Sequence, residues 1–351
     1  MVGKSRRAIA PATAETQANK GGFSLISNEK LIQIYAAMVK CRMVHERVRA
    51  RMRERGLKGS GFVSTGQEAA FVGAALDLGE EDAIAASRGE WMARFLRGEP
   101  LARIVREVEV GARSAGIARA SRSVKGARRP VAALPSATIA AQLRAAARIA
   151  RANGRKSKGK VLVVFSQAKS SASEFGQETP DFARLDGLPM VFICLNGHSR
   201  EPESLSRQAG GEGIAAKAQA HGISGIAVDG DDAVAVYRVA FEAIARARRG
   251  ARPTLIECQT WRLPVRPRNG GARSGGAAKP ERAGTGDAIF NDPILNMERY
   301  LAGKGLFSAG MKDKIMGDFN KDLDAAIRSA KRPLKSRGAR ARGKRASDSA
   351  K

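Results

Sequence analysis

The sequence predicts an α/β fold in which helices cover both faces of a mainly parallel sheet. Short runs rich in Val, Ile and Leu, such as 161–165 and 188–196, alternate with longer Ala-rich segments of helical periodicity. Such alternation is typical of βαβ units, whose strands are parallel and buried. Gly- and Pro-containing segments separate most of these runs, as connections between strands and helices require.

The individual elements follow in chain order from capping, periodicity and turn residues. Ser27 can cap a helix over 28–55, on which apolar residues recur at helical spacing. The other helices are expected at 66–78, 91–109, 136–153, 174–185, 211–220 and 231–249, followed by a helical region at 292–330. The strands are expected at 83–86, 161–165, 188–196, 225–228 and 254–261. The Ser- and Arg-rich segment 112–130 and the Gly- and Arg-rich segment 266–290 are expected to be loops.

Length and composition indicate a cytoplasmic protein with no membrane association. The 351 residues allow one large α/β domain or two small ones, and 43% apolar residues supply a core. We assign residues 27–330 to one domain, with a disordered basic arm at 1–26 and a disordered basic tail at 331–351. Three cysteines are too few and too scattered for a disulfide framework or a zinc site. No apolar run approaches the roughly 18 residues that span a membrane.

The net charge of +28 indicates affinity for anions. The tail at 331–351 holds nine Lys or Arg against one Asp, and the stretch at 112–130 is also basic. Neither shows apolar periodicity, as expected of disorder or loops. The charge leaves an acidic or nucleic-acid partner open as a hypothesis. Aromatic residues make up only 5% of the chain, and they are not interleaved with the basic ones as base stacking requires.

Four stretches carry a longer and more specific pattern. They read GQEAAFVGAALDLGEEDAI (66–84), GLPMVFICLN (187–196), AHGISGIAVDGDDAVAVYRVAFEAIARARRGARPTLIECQTWR (220–262) and NDPI (291–294). Over about residues 28–330 the chain resembles the alpha subunit of the first component of thiamine-diphosphate-dependent 2-oxo acid dehydrogenases, which act on pyruvate, acetoin or branched-chain 2-oxo acids. The resemblance implies a thiamine-diphosphate-binding fold, a beta subunit in an α2β2 heterotetramer, and a lipoyl acyltransferase core as partner.

The loop after the strand at 161–165 departs from the family's pattern. In the family this loop reads Gly-Asp-Gly, and its Asp, with an Asn some thirty residues on, holds the Mg²⁺ that holds the cofactor's diphosphate. The resemblance places Ser166, Gln167 and Ala168 at those three positions and Asn196 at the Asn. Gln167 offers a neutral oxygen in place of a carboxylate, although Mg²⁺ sites typically include a carboxylate. Gln167 and Asn196 are therefore the expected, degenerate metal ligands.

The resemblance also implies contacts with the diphosphate and the substrate. Arg88 lies one residue before the position of a phosphate-binding Arg, and an Arg fork suits that anion. Lys169 is placed to neutralise diphosphate charge. The family's two His positions hold Trp91 and Arg266, and a guanidinium does not exchange protons near neutral pH. No catalytic residue is assigned, although His198 lies beside the altered loop.

Three other features are expected to be structural. The run VDGDD at 228–232 looks like a metal loop, but we expect Asp229 or Asp231 to cap the following helix. In GQEA, Glu68 places negative charge in the first turn of a helix, where it suits the helix dipole. His45 lies among apolar residues of the first long helix and is expected to be part of the core.

Three functions remain open from the sequence. In the first, the chain is a working alpha subunit that, with a beta subunit, decarboxylates a 2-oxo acid and passes the acyl group to lipoyl. Alternatively it is a pseudoenzyme that stabilises or regulates a dehydrogenase complex. Or it uses the same fold as a platform for binding anions or nucleic acid. The altered positions oppose the first, so whether the chain is an enzyme stays open.

Overall fold

A computed structural model describes residues 26–56, 65–87, 89–111, 129–134, 139–154, 159–167, 185, 187–198, 213–220, 222–261 and 292–330. The predicted tail at 331–351 and the predicted arm, apart from Ile26, lie outside these residues. So do the predicted loop at 266–290 and, apart from Leu185, the predicted helix at 174–185.

The described elements alternate between helices and strands through the middle of the chain. The helices are α1 (Asn28–Glu54), α2 (Glu68–Ala75), α3 (Trp91–Leu96), α4 (Leu101–Gly111), α5 (Ile139–Gly154), α6 (Ile214–Ala220), α7 (Ala233–Arg248), α8 (Pro293–Gly303) and α9 (Ala309–Ala330). The strands are β1 (Ala83–Ala86), β2 (Val131–Ala133), β3 (Leu162–Gln167), β4 (Met190–His198), β5 (Ser224–Asp229) and β6 (Thr254–Trp261).

The strands form one sheet in the order β2-β1-β3-β4-β6-β5, and every neighbouring pair is parallel. The predicted parallel α/β architecture is thus confirmed. Because all six strands run the same way, their last residues meet at one edge of the sheet, which we call the carboxyl edge. Their first residues meet at the opposite, amino edge.

Helices cover both faces of the sheet, as predicted. On the α2 face, α2, α3 and α7 form one buried cluster with alternate strand residues such as Phe165 and Leu195, and α1, α4, α8 and α9 belong to the same cluster. The α5 face is covered by α5 and α6, which pack on the intervening residues, such as Val164 and Cys194. Phe165 is fully buried and stacks 5.3 Å from Phe71 of α2, centroid to centroid. Burying such a ring stabilises the fold by about 1.5–3 kcal/mol.

Several helices differ from their predicted bounds. The helix expected at 91–109 is divided into α3 and α4, because Gly98 adopts a positive φ of 82° and Pro100 cannot continue a helix. The helical region expected at 292–330 is likewise divided, and Gly305 has a φ of 69° between α8 and α9. Helix α2 is shorter than the predicted 66–78.

Three further findings concern caps, a strand and membrane helices. Asp232, rather than Asp229 or Asp231, caps α7 and accepts hydrogen bonds from the backbone N–H groups of Val234 and Ala235.

Strand β2 was not predicted, because its three residues are too few to show a periodicity. Within the described ranges, no helix combines the length and the apolarity needed to cross a membrane.

Candidate functional site

Polar side chains collect at the carboxyl edge, where open parallel sheets bind their ligands. Ser166 and Gln167 end β3, Asn196 lies near the end of β4, and Thr260 lies near the end of β6. Gln67, which directly precedes α2, reaches the same edge from the α2 face. The edge therefore carries hydroxyl and amide groups at the points where the strands end.

A reciprocal pair of amides joins α2 to the sheet. Gln167 Nε2 donates to Gln67 Oε1 at 2.9 Å, and Gln67 Nε2 donates back to Gln167 Oε1 at 3.4 Å. Gln67 Nε2 also lies 3.2 Å from Thr260 Oγ1. Gln67 is 1% exposed and Thr260 is fully buried. The side chain of Gln167, expected as a metal ligand, is thus held by a buried amide on the helix side.

Asn196, the second expected metal ligand, points to the other face of the sheet. Gln167 pairs in register with Leu195, and successive side chains of a strand alternate between faces. Asn196 Nδ2 donates to Glu257 Oε1 at 2.7 Å, and Glu257 Oε2 accepts from the backbone N–H of Ala215 in the first turn of α6 at 2.8 Å. The structure therefore gives the two expected ligands separate partners on opposite faces.

Ser166 also has a partner on the α5 face. Its hydroxyl donates to Gln142 Oε1 of α5 at 2.7 Å, and both residues are buried. A glycine at this position, as in the family's pattern, would not make this hydrogen bond. The side chain of Ser166 thus connects β3 to the helix that covers it.

The other expected site residues are only partly described. Ala168, Lys169, Arg266 and Arg88 lie outside the described residues, and the side chain of His198 is not described either. Trp91 begins α3, is fully buried, and lies 6.4 Å from Phe95 between ring centroids. The indole at this expected His position therefore packs in the core.

The first turn of α2 is held by an ion-pair cluster. Arg42 of α1 contacts Glu68 through two hydrogen bonds of 2.6 and 3.0 Å, and contacts Asp292 at 3.0 and 3.1 Å. Glu68 Oε2 also accepts from the backbone N–H of Gly66 at 2.9 Å. Burial by itself raises the pKa of Asp292, but hydrogen bonds from Arg42 outweigh it and hold the pKa below its ordinary value. The GQEA and NDPI motifs thus meet at Arg42, in agreement with the structural role expected of Glu68.

The described residues do not fit a magnesium ion bound through Gln167 and Asn196. Mg²⁺ requires a near-octahedral set of oxygen ligands. The oxygen of Gln167 already accepts from Gln67, and Asn196 faces the opposite side of the sheet. Among the described residues, no group of three or more His, Cys, Asp or Glu side chains could hold a metal. The carboxyl edge is instead joined by hydrogen bonds between neutral groups and to Glu257.

Four partners in this network were not singled out from the sequence. They are Gln67, Gln142, Glu257 and Thr260. The sequence predicted Gln67 in the first turn of the helix at 66–78 and Thr260 near the end of the strand at 254–261. Only the packing of α2 and α5 on the sheet shows which amides they meet.

The parallel sheet with helices on both faces defines an open α/β protein, the class in which ligands are usually bound at the carboxyl edge. Residues 35–337 match the family described as Dehydrogenase E1 component. The pyruvate dehydrogenase E1 component subunit alpha of Staphylococcus aureus (strain Mu50) is 29% identical over 309 residues, which cover 87% of this chain and 79% of that protein. The protein of the same name from Staphylococcus epidermidis is 27% identical over the same shares. The chain belongs to the dehydrogenase E1 component family, and the predicted fold class is confirmed.

Proposed function

We propose that this chain is an alpha-type subunit of a 2-oxo acid dehydrogenase that binds Mg²⁺ and thiamine diphosphate weakly or not at all. It pairs with a beta subunit, and its contribution to a complex with a lipoyl acyltransferase core is then structural or regulatory. The family supports the alpha-type assignment, since the similar staphylococcal proteins are pyruvate dehydrogenase alpha subunits. The weak cofactor binding is inferred from the carboxyl edge.

The amide pair of Gln67 and Gln167 carries the proposal. Gln167 stands where the resemblance places the metal-binding Asp, and both of its amide atoms hydrogen-bond to Gln67. A metal ion would have to displace this buried partner, which is 1% exposed. Gln67 Nε2 also contacts Thr260, so moving Gln67 would disturb a second hydrogen bond. The amide of Gln167 thus already has a hydrogen-bonding partner within the protein and is not free to bind a metal ion.

The missing charge weakens a metal site further. Two unit charges at ~4 Å attract each other by about 4 kcal/mol at an effective dielectric constant of about 20. Gln167 lacks this attraction to a metal ion because its amide is neutral. Asn196 does not compensate, since its amide donates to Glu257 on the α5 face. Its side chain therefore supports α6 rather than the edge near Gln167.

Calorimetric titration with thiamine diphosphate and Mg²⁺ tests the proposal. The purified chain, alone and with a beta subunit from the same genome, is expected to show no saturable magnesium-dependent binding at concentrations that saturate an alpha subunit with the Asp. Such binding by the unmodified chain would contradict the proposal and would favour a working alpha subunit. Failure to pair with the beta subunit would instead contradict the assignment as a subunit.

Restoring the carboxylate provides the gain-of-function arm. Gln167→Asp is expected to raise the affinity for magnesium and thiamine diphosphate by roughly tenfold or more, which corresponds to about 1.4 kcal/mol or more. The triple change Ser166→Gly, Gln167→Asp and Ala168→Gly, which restores the family's whole loop, is expected to raise it further.

A matched control separates a specific site from added negative charge. Gln259→Asp adds the same group at the carboxyl edge, on an exposed residue of β6 that pairs in register with Asn196. It is expected to leave cofactor affinity unchanged. Equal effects of Gln167→Asp and Gln259→Asp would show that charge alone attracts magnesium to this edge, and the assigned position of the lost ligand would be wrong.

A further inference from the structure

A cavity of about 130 Å³ lies between α2 and α7. Its apolar lining comes from Gly73 and Ala74 of α2 and from Phe241, Ile244 and Ala245 of α7. Phe241 is 49% exposed, so part of this lining faces solvent. An engineered apolar cavity of about 150 Å³ binds benzene. The cavity between α2 and α7 therefore has roughly the size of one phenyl ring.

The first turn of α1 lies beside this cavity. Lys30 of that turn forms an ion pair of 2.5 Å with Asp77, and Asp77 is one of the residues that line the cavity. The hydroxyl of Tyr237, another lining residue, donates to the same carboxylate. Ile26, directly before the cap of α1, is half-buried against the core on the α2 face. The chain therefore enters α1 close to the cavity.

The segment before Ile26 carries one aromatic side chain. Residues 21–25 read Gly-Gly-Phe-Ser-Leu, and Phe23 is the only aromatic residue of 1–25. Three extended residues span about 10 Å, so Phe23 can reach groups within that distance of Ile26. A phenyl ring matches the cavity in size and polarity, and it can pack edge-on or offset against the exposed ring of Phe241. Phe23 is therefore a suitable occupant.

The size of the cavity favours a tethered segment over a separate protein. A stable protein–protein interface buries about 1,200–2,000 Å², whereas one aromatic side chain buries about 150–250 Å². A single ring is therefore a small anchor for a free partner. A segment of the same chain needs no second anchor, because its covalent connection to α1 gives it an effective concentration in the millimolar range.

We propose that Phe23 occupies the cavity between α2 and α7 of its own chain. The ring fills the apolar lining and covers part of Phe241, and residues 21–25 thereby join the start of α1 to α7. The sequence predicts a disordered arm at 1–26, and the docked segment restricts that disorder to the residues before it. The interaction makes no use of the carboxyl edge, so it goes beyond the proposed function and holds whether or not the chain binds thiamine diphosphate.

Chymotrypsin, which cleaves after aromatic residues, measures the docking in the full chain. A docked ring is protected, so the rate of cleavage after Phe23 follows the fraction of undocked segment. Ala245→Leu fills the cavity from α7 and is expected to raise this rate by about fivefold or more. Ala235→Leu adds the same side chain to another half-buried position of α7, outside the cavity lining, and is expected to leave the rate unchanged. Equal rates in the unmodified chain and in Ala245→Leu would overturn the proposal.

A fluorescent reporter tests the same contact without filling the cavity, should Ala245→Leu fail to fold. In a chain carrying Phe241→Trp, the new indole is expected to lie partly under Phe23. Adding Phe23→Ala is expected to shift its emission to the red and to increase its quenching by acrylamide. Ile9→Ala removes another apolar side chain from residues 1–25 and, as the matched control, is expected to change neither. An emission that Phe23→Ala leaves unaffected would contradict the docking.

Dilution and the beta subunit decide between the possible occupants. Docking within one chain is expected to give the same cleavage rate after Phe23 at about 1 and 100 μM protein, with or without the beta subunit. Protection that appears only at high concentration would assign the cavity to Phe23 of a second copy. Protection that appears only after the beta subunit is added would assign the cover of this segment to that subunit. Either outcome would show that the chain does not dock its own segment.

Discussion

The two edges of the sheet are held together by different chemistry. At the amino edge, the carboxylate of Asp82 accepts from the backbone N–H groups of Val161 and Gly79 at 3.0 and 2.7 Å, and from Arg248 at 3.1 and 2.7 Å. At the carboxyl edge, the neutral amides of Gln67 and Gln167 bond to each other. A charged connection is thus present at the end of the sheet where no ligand is expected.

This difference shows where the chain requires a carboxylate. Asp82 is fully buried, and burial alone would raise its pKa, but hydrogen bonds from Arg248, Val161 and Gly79 lower the pKa below its ordinary value. Its charge is therefore used to join β1, β3 and α7. At the carboxyl edge, hydrogen bonds between the neutral amides of Gln67 and Gln167 join α2 to the sheet on the α2 face, while the carboxylate of Glu257 accepts from Asn196 on the α5 face. The described contacts of Gln67 at the carboxyl edge are therefore all with neutral side chains.

The largest effect is expected from removing the charged connection. Asp82→Ala leaves the N–H of Val161 without its acceptor in a buried environment and also releases Gly79 and Arg248. We expect a loss of about 3 kcal/mol of unfolding free energy in urea, since an unsatisfied buried group costs about 1–3 kcal/mol. The matched change Asp322→Ala, on an exposed position of α9, is expected to stay within about 0.5 kcal/mol. Equal losses in both variants would break the comparison.

A second acid-sensitive group has to be separated from Asp82 before pH effects are compared. His45 is 2% exposed, and burial together with Arg49 and Arg42 lowers its pKa from 6.5 to about 4. The unfolded chain therefore binds a proton that the folded protein excludes between about pH 6.5 and 4, so stability falls as the pH falls through this window. From about pH 7 to 5 the loss is about 2 kcal/mol at 1.36 kcal/mol per pH unit.

His45→Gln is expected to remove most of that loss. Urea unfolding at about pH 7 and 5 measures it, with the unmodified chain as the reference. The contribution of Asp82, whose folded pKa is lowered, is fully present above its ordinary pKa and is lost only as the pH falls through the lower folded value. An unchanged pH dependence in His45→Gln would show that other groups are responsible for the loss.

The smallest effect is expected at the carboxyl edge. Gln67→Leu removes one side of the amide pair and the donor to Thr260, so we expect a loss of about 1–2 kcal/mol. The double variant Gln67→Leu and Gln167→Leu is expected to be less destabilised than the sum of the single changes, which reports their coupling. The loss should be the same at about pH 5 and 7, because amides do not titrate. A loss larger than that of Asp82→Ala would reverse the comparison.

Much of the fold could be predicted because periodicity is local. Strands β1 and β6 occupy the predicted residues 83–86 and 254–261, and α1 begins after the predicted cap Ser27. Bounds that depend on one glycine's φ angle were missed, as at Gly98. The three-residue strand β2 was missed because only pairing with β1 makes it a strand.

The sequence by itself determined the parallel α/β architecture and the family, because these depend on patterns and residue identities along the chain. That Gln167 stands in place of a metal-binding Asp stays a prediction. Only the tertiary structure decided that Gln167 pairs with Gln67, residues 100 positions apart, while Asn196 turns to Glu257 on the other face. The physical reason is that strand alternation sets the direction of each side chain, but the packing of α2, α5 and α6 sets which partner it meets.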